Sequence, residues 1–213
     1  GYGDHRDLPV RSRRQRQMCI RDSGIIVKKK GHVELLANPS KKFINSKGVV
    51  LYEGIYYTLK QARRGSKIRN GDIVRTGKKS KARIVYKNGD QLNVGEGSAF
   101  KISWKRNAQT KKPESTISII NGALRGIVSK KGPRNNLTIK SRSAVMGVRG
   151  TDFHFAQRGT SGKTSISVLR GKVDVAKVET PKKIMKVNQG FSAELNSPPK
   201  PVAVSYTHLR AHE

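Results

Sequence analysis

Glycine punctuates this chain. From residue 49 onward, glycine-led turns at Gly71, Gly89, Gly122, Gly150, Gly171 and Gly190 recur at intervals of 18 to 33 residues. Between them lie short apolar or alternating runs with little helical periodicity. Strands need only roughly four to eight residues, whereas a helix needs an unbroken periodic pattern of about ten or more. The chain is therefore read as all-β and built from many short strands. Irregular repetition of this kind suits a short β-solenoid or a two-sheet β-sandwich, and the solenoid-like form is the preferred expectation.

Individual segments support that reading. Ile73 and Val74 follow an Asn70-Gly71-Asp72 turn. Ala82, Ile84 and Tyr86 alternate with Lys81, Arg83 and Val85, as in a half-buried strand. Asn88-Gly89 predicts a two-residue hairpin, because both turn positions need positive φ and these residues tolerate it. Leu92 and Val94 continue on the return strand, and Phe100, Ile102 and Trp104 alternate with Lys101 and Ser103. Residues 105–115 are polar, contain Pro113 and read as an exposed loop. Further strands are expected at 117–120, 123–128, 137–139, 153–155, 165–169, 172–175 and 184–187. Turn or structural roles fall to Gly71, Asp72, Thr76, Gly77, Asn88, Gly89, Gly122 and Gly171.

The two ends read differently. RRQRQMCIRDS at 13–23 contains a translation of a transposon-end sequencing adapter, and YGDHRDL at 2–8 fits its outer adapter in the same frame. VSYTHLRAHE at 204–213 is what the reverse complement of the transposon end encodes. Residues 1–23 and 204–213 are therefore expected to be adapter-derived and are left out of the fold argument. Residues 24–61 are expected to be strands leading into the main domain at 62–196, with 197–203 as a Pro-containing linker. Setting the ends aside removes the single cysteine, Cys19, and leaves His32 and His154. No disulfide, metal or thiol chemistry is then expected.

Charge is the second constraint. The ends hold seven of the 45 Lys+Arg and four of the 14 Asp+Glu, so 24–203 keeps 38 basic and 10 acidic side chains, a formal +28. Such a surface attracts anionic partners over about 10 Å at moderate salt. The candidate contacts are Lys78, Lys79, Lys81, Arg83, Lys111 and Lys112. The alternative is that these lysines simply solubilise exposed turns. No run approaches the roughly 18 apolar residues of a membrane-spanning helix. GIIV at 24–27 is read as a strand, with the tail of a signal or anchor segment as the alternative.

Several segments in this order resemble the FecR domain of bacterial envelope proteins: NGDIVRTGKKSKARIVYKNGDQLNVGEGSAFKI at 70–102, ISIINGALRGIV at 117–128, SAVMGVRGTDFHF at 143–155, TSISVLRGKVDV at 164–175 and VNQGFSAEL at 187–195. The resemblance spans roughly 65–195. Its best single marker is Val148-Arg149-Gly150-Thr151-Asp152-Phe153, preceded by Gly147. Chemically this marker reads as structure. The two glycines allow conformations or close approaches closed to other residues. Thr151 can bond nearby backbone, Val148 and Phe153 supply core, and Arg149 can pair with a carboxylate or cap a strand. The resemblance implies a non-enzymatic interaction or signal-relay module at the periplasm or cell envelope. Its implied partner is an envelope protein. By charge alone the alternative partner is an envelope polyanion or nucleic acid, and no membrane anchor is visible.

Catalytic patterns are lacking. GTSGKT at 159–164 has Gln157 where a phosphate-binding loop needs its first glycine, so it reads as a hairpin turn. Asp152 and His154 can share one strand face, but no third member is evident. Asn136-Leu137-Thr138 matches a glycosylation acceptor, a pattern short enough to arise by chance. No catalytic residue, metal ligand or cofactor is assigned.

Overall fold

The computed structural model describes residues 24–43, 45, 47–106, 109, 113–129, 136–159 and 162–196. The adapter-like ends, the 197–203 linker, Lys111 and Lys112 lie outside them. The described chain is all-β. Its first nine strands are β1 (Gly24–Lys30), β2 (Val33–Ser40), β3 (Val49–Tyr52), β4 (Ile55–Gln61), β5 (Lys67–Ile68), β6 (Ile73–Thr76), β7 (Lys81–Tyr86), β8 (Gln91–Val94) and β9 (Ala99–Arg106). A long strand, β10 (Pro113–Ile127), follows. The rest are β11 (Asn136–Lys140), β12 (Ala144–Val148), β13 (Asp152–Arg158), β14 (Lys163–Arg170), β15 (Lys172–Lys177), β16 (Ile184–Asn188) and β17 (Ser192–Leu195).

These strands form two ladders. Ladder A runs β5-β1-β7-β8-β10-β13-β14-β17. Ladder B runs β3-β4-β2-β6-β9-β10-β11-β12-β15-β16. Every pairing is antiparallel except β10–β11. The chain visits the ladders in turn, which is the solenoid-like part of the expectation, while antiparallel ladders around a shared core are the sandwich-like part. One contiguous apolar cluster draws on both: Ile84, Leu92, Phe153, Phe155 and Ile166 from A, and Val74, Phe100, Ile139, Met146 and Val175 from B. A smaller cluster of Leu36, Tyr57 and Ile73 lies on the opposite face of the β2–β6 region. Residues 24–61 are built into the same body, since β1 pairs with β7, β2 pairs with β6, and Ile26, Val33 and Leu35 join the main core.

The ladders are joined by β10, which pairs with β9 over residues 113–121, with β13 over 122–127 and with β8 over 124–127. Asn121-Gly122 therefore does not end a strand between 117–120 and 123–128; the chain bends there and continues. The register shifts between Ile119 and Asn121, and Gly122 has φ 91°. Ser98 holds the bend: its hydroxyl accepts from the Ala123 N–H (3.0 Å) and donates to the Ala123 carbonyl (3.1 Å). A strand that crosses between packed sheets commonly does so at such a bulge. Two loops also differ from expectation. The 105–115 loop is shorter, because β9 reaches Arg106 and β10 starts at Pro113. At Asn88-Gly89 only Gly89 takes positive φ, 86°. The Gly89 N–H donates to the Tyr86 carbonyl (3.0 Å) and the Tyr86 N–H to the Asp90 carbonyl (2.9 Å). That is a three-residue loop closed by a left-handed glycine rather than a two-residue turn.

Candidate interaction surface

The marker segment is a crossing from ladder B to ladder A. Val148 ends β12, Arg149 and Gly150 turn, and Asp152 begins β13. Val148, Thr151 and Phe153 are buried, and Gly150 has φ 64°. Phe153 packs so closely on β10 that a Cβ at Gly126 would lie 2.3 Å from its ring. Gly171 is confined similarly, with φ 86° and the Thr151 methyl 2.9 Å from where its Cβ would stand. Three expectations fail here. Gly147 has ordinary φ and open space, its nearest neighbour being the Asp174 carbonyl at 4.0 Å. The Thr151 hydroxyl is buried without a hydrogen-bond partner. Arg149 is exposed and, among the described residues, pairs with no carboxylate.

The arginine that does pair lies on a neighbouring strand. Arg125 on β10 grips Asp152 with two hydrogen bonds, Nε to Oδ1 at 2.9 Å and Nη2 to Oδ2 at 2.7 Å. The Arg125 guanidinium holds the Asp152 carboxyl below the usual carboxylate range, against a smaller opposing effect of burial. Asp152 is therefore a fixed anion and unsuited to hand a proton to His154. His154 stands directly across from Arg125.

The expected turn residues engage the surrounding backbone and side chains. Gly71 donates its N–H to the Ile102 carbonyl (2.8 Å), and the Asp72 Oδ2 accepts from the Arg69 N–H (2.7 Å). Burial pushes the Asp72 carboxyl up, opposed by the Arg69 and Asn38 backbone amides, and its Oδ1 has no hydrogen-bond partner. The Thr76 hydroxyl donates to the Gly95 carbonyl (2.6 Å) and accepts from the Ser98 N–H (3.0 Å). Gly77 donates its N–H to the His32 carbonyl (3.0 Å). Asn88 and Ser129 anchor Asp90, whose carboxyl burial also raises.

The candidate cations fall unevenly over the two ladders. Lys78 and Lys79 occupy the turn entering β7, with the Lys79 N–H donating to Glu96 (2.8 Å). Lys81 and Arg83 project outward from β7, since Ala82 and Ile84 between them are buried. Strand pairing extends this into a row across ladder A that the sequence does not display. Lys28 faces Arg83, Arg83 faces Asn93, Asn93 faces Arg125, Arg125 faces His154, His154 faces Ser167, and Ser167 faces Ser192. Lys30 likewise faces Lys81. Like charges directly opposite one another destabilise a sheet.

On ladder B the arrangement is reversed. Glu34 faces Arg75, Glu114 faces Lys105, and Asp174 faces Lys186. Facing charges on ladder B are opposite; ladder A carries both kinds, with Asp152 facing Arg170 but like charges facing each other across β1 and β7.

A second surface feature lies at the C-terminal edge. Of the seven large apolar side chains exposed among the described residues, five cluster in sequence: Leu169, Val178, Ile184, Met185 and Phe191. They surround β16, which pairs with β15 and has only Val187 buried. Lys186 within it, with Lys182 and Lys183 just before it, is what a native edge carries to discourage pairing with its own copies.

Residues 72–174 match a family described as "FecR protein". Two crystal structures of a candidate anti-sigma factor from Parabacteroides distasonis are similar to the chain, each at 14% identity, with TM-scores of 0.45 and 0.46. Each match covers 60% of this chain and 60% of that one, so the chain spans about three-fifths of their length. No curated protein matches the sequence.

Proposed function

The chain carries a FecR domain across residues 72–174, and from that premise we propose that it is a non-enzymatic interaction or signal-relay module of the bacterial cell envelope. The family match carries the reading. Its resemblance to periplasmic regulators implies a protein that receives a signal by contact and passes it on, which requires a docking edge rather than a reaction site. The β16 edge, with Ile184, Met185 and Phe191 exposed beside it, supports this role. Extended segments of a partner dock on such edges through main-chain hydrogen bonds and read alternate side chains.

A photo-crosslinking residue placed at Ile184 tests this in envelope extract, with the exposed Leu51 as the comparison position. A discrete protein adduct from position 184 and none from 51 is expected. Equal, diffuse labelling from both positions, or no adduct from either, refutes the docking edge.

A further inference from the structure

We propose that the outer face of ladder A is a seat for an anionic lipid surface, held through phosphate headgroups, separate from the β16 edge and independent of the relay reading. Four cations carry it: Lys28, Lys30, Lys81 and Arg83. The β1–β7 register sets them opposite one another as like-charged pairs, Lys28 with Arg83 and Lys30 with Lys81. Among the described residues none of the four has a carboxylate partner; Arg83 hydrogen-bonds the neutral Asn93 through Nε at 2.8 Å. The carboxylates on this face are already engaged, Asp152 by Arg125 at 2.7 Å and Glu194 by Lys163 at 2.8 Å. Ladder B, in the same molecule, places each of Glu34, Glu114 and Asp174 opposite a base. Lysine used only for solubility would not set like charges directly opposite one another across β1 and β7. An external anion supplies what the ladder A face lacks.

The shape of the face selects among anions. The polar row crosses seven strands, β1 through β17 in ladder order, and at about 4.8 Å per strand extends roughly 29 Å. The four cations occupy β1 and β7 at one end of that row, and a layer of phosphates can meet them together with the polar positions beside them. Among the described residues the outward positions of ladder A carry no Phe, Tyr or Trp, so single-stranded bases have no stacking platform. The outward residues Ile127 and Val85 are half-buried, and the one exposed large apolar side chain among the described ladder A strands, Leu169, sits at the end of β14, away from the four cations on β1 and β7. Binding is therefore electrostatic and salt-sensitive.

Sedimentation of the full chain with vesicles tests this, comparing phosphatidylcholine alone with phosphatidylcholine containing phosphatidylglycerol. Binding to the mixed vesicles only is expected, and it is lost as salt rises and the Debye length shortens. Each of Lys28→Gln, Lys81→Gln and Arg83→Gln weakens partitioning about five-fold, the effect of one basic residue near an anionic surface. The triple variant Lys140→Gln, Lys172→Gln, Lys186→Gln removes the same charge from ladder B and leaves partitioning within about two-fold. If the combined Lys28→Gln, Lys81→Gln, Arg83→Gln variant and the ladder B triple variant lose binding equally, only net charge acts and the face assignment fails. No binding to the mixed vesicles at low salt overturns the proposal. So does tighter binding to duplex or single-stranded DNA that the ladder A substitutions abolish.

Discussion

Replacing Gly122 by alanine tests the account of how β10 serves two ladders. The new methyl carbon would lie 2.3 Å from Ser98 Oγ and 2.5 Å from Ser98 Cα. The second contact is with backbone, so no rotamer change relieves it. The residue must also hold φ 91°, where a side chain costs about 1–3 kcal/mol. Overpacking adds about 1–3 kcal/mol. Displacing Ser98 sacrifices its two hydrogen bonds to Ala123, each worth about 1 kcal/mol net. Since these losses share one relaxation, the expected cost is about 3–6 kcal/mol, comparable with the whole stability of many domains.

Gly97→Ala is the matched control. It has φ 59° with nothing within 4 Å, so it bears the backbone strain alone, about 1 kcal/mol. Urea unfolding followed by circular dichroism should lower the midpoint of Gly122→Ala by at least about 1 M more than that of Gly97→Ala. Adding Ser98→Gly should not rescue Gly122→Ala, because Ser98 Cα remains. Equal midpoints for the two alanine variants would refute the argument.

Other outcomes follow from neighbouring positions. Gly126→Ala drives a methyl into the Phe153 ring and should cost about 1–3 kcal/mol, whereas Gly147→Ala, in open space on β12, should be neutral or gain about 0.5 kcal/mol; thermal melts separate them. The raised Asp72 carboxyl makes the native state hold its proton more tightly than the unfolded chain does. Its contribution is thus most favourable below the ordinary carboxylate range and is lost as pH rises through the elevated native value, and Asp72→Asn should flatten that part of the stability profile. Asp152 behaves oppositely. Its depressed carboxyl stabilises above the unfolded value of about 4 and the benefit disappears as pH falls below it. Because Arg125 is half exposed, Asp152→Asn should cost no more than about 1 kcal/mol at pH 7 and nothing near pH 2, by urea unfolding at each pH.

The strands were legible because their alternation is local. Ala82 and Ile84 are buried and Lys81 and Arg83 exposed, as the pattern between them predicts. The resemblance also singled out Val148–Phe153, and the structure places that segment at the crossing from ladder B to ladder A. What escaped depends on residues distant in sequence. Asn121-Gly122 looks like a hairpin, and only Ser98, more than twenty positions earlier, makes it a bend. Asn88 was expected at positive φ, but a three-residue loop needs only Gly89 there. The partner of Asp152 proved to be Arg125 rather than the adjacent Arg149, because strand pairing brings Arg125 diagonally alongside. The ladder A row could not be read at all, since Lys28, Arg83, Arg125 and His154 become neighbours only through four separate registers. Gly126 drew no notice for the same reason, as its constraint is the Phe153 ring on β13.

Strand β10 also imposes an order of events on a ribosome. Before it emerges, β8 and β9 end the nascent half-structure with one open edge in each ladder, and such edges invite pairing with other chains. Because β10 pairs with both β8 and β9, its arrival closes the two edges together and at once offers new ones to β11 and β13. Synthesis paused between Arg106 and Pro113 should therefore leave the chain most dependent on chaperones, and release past Ile127 should end that dependence for the earlier half.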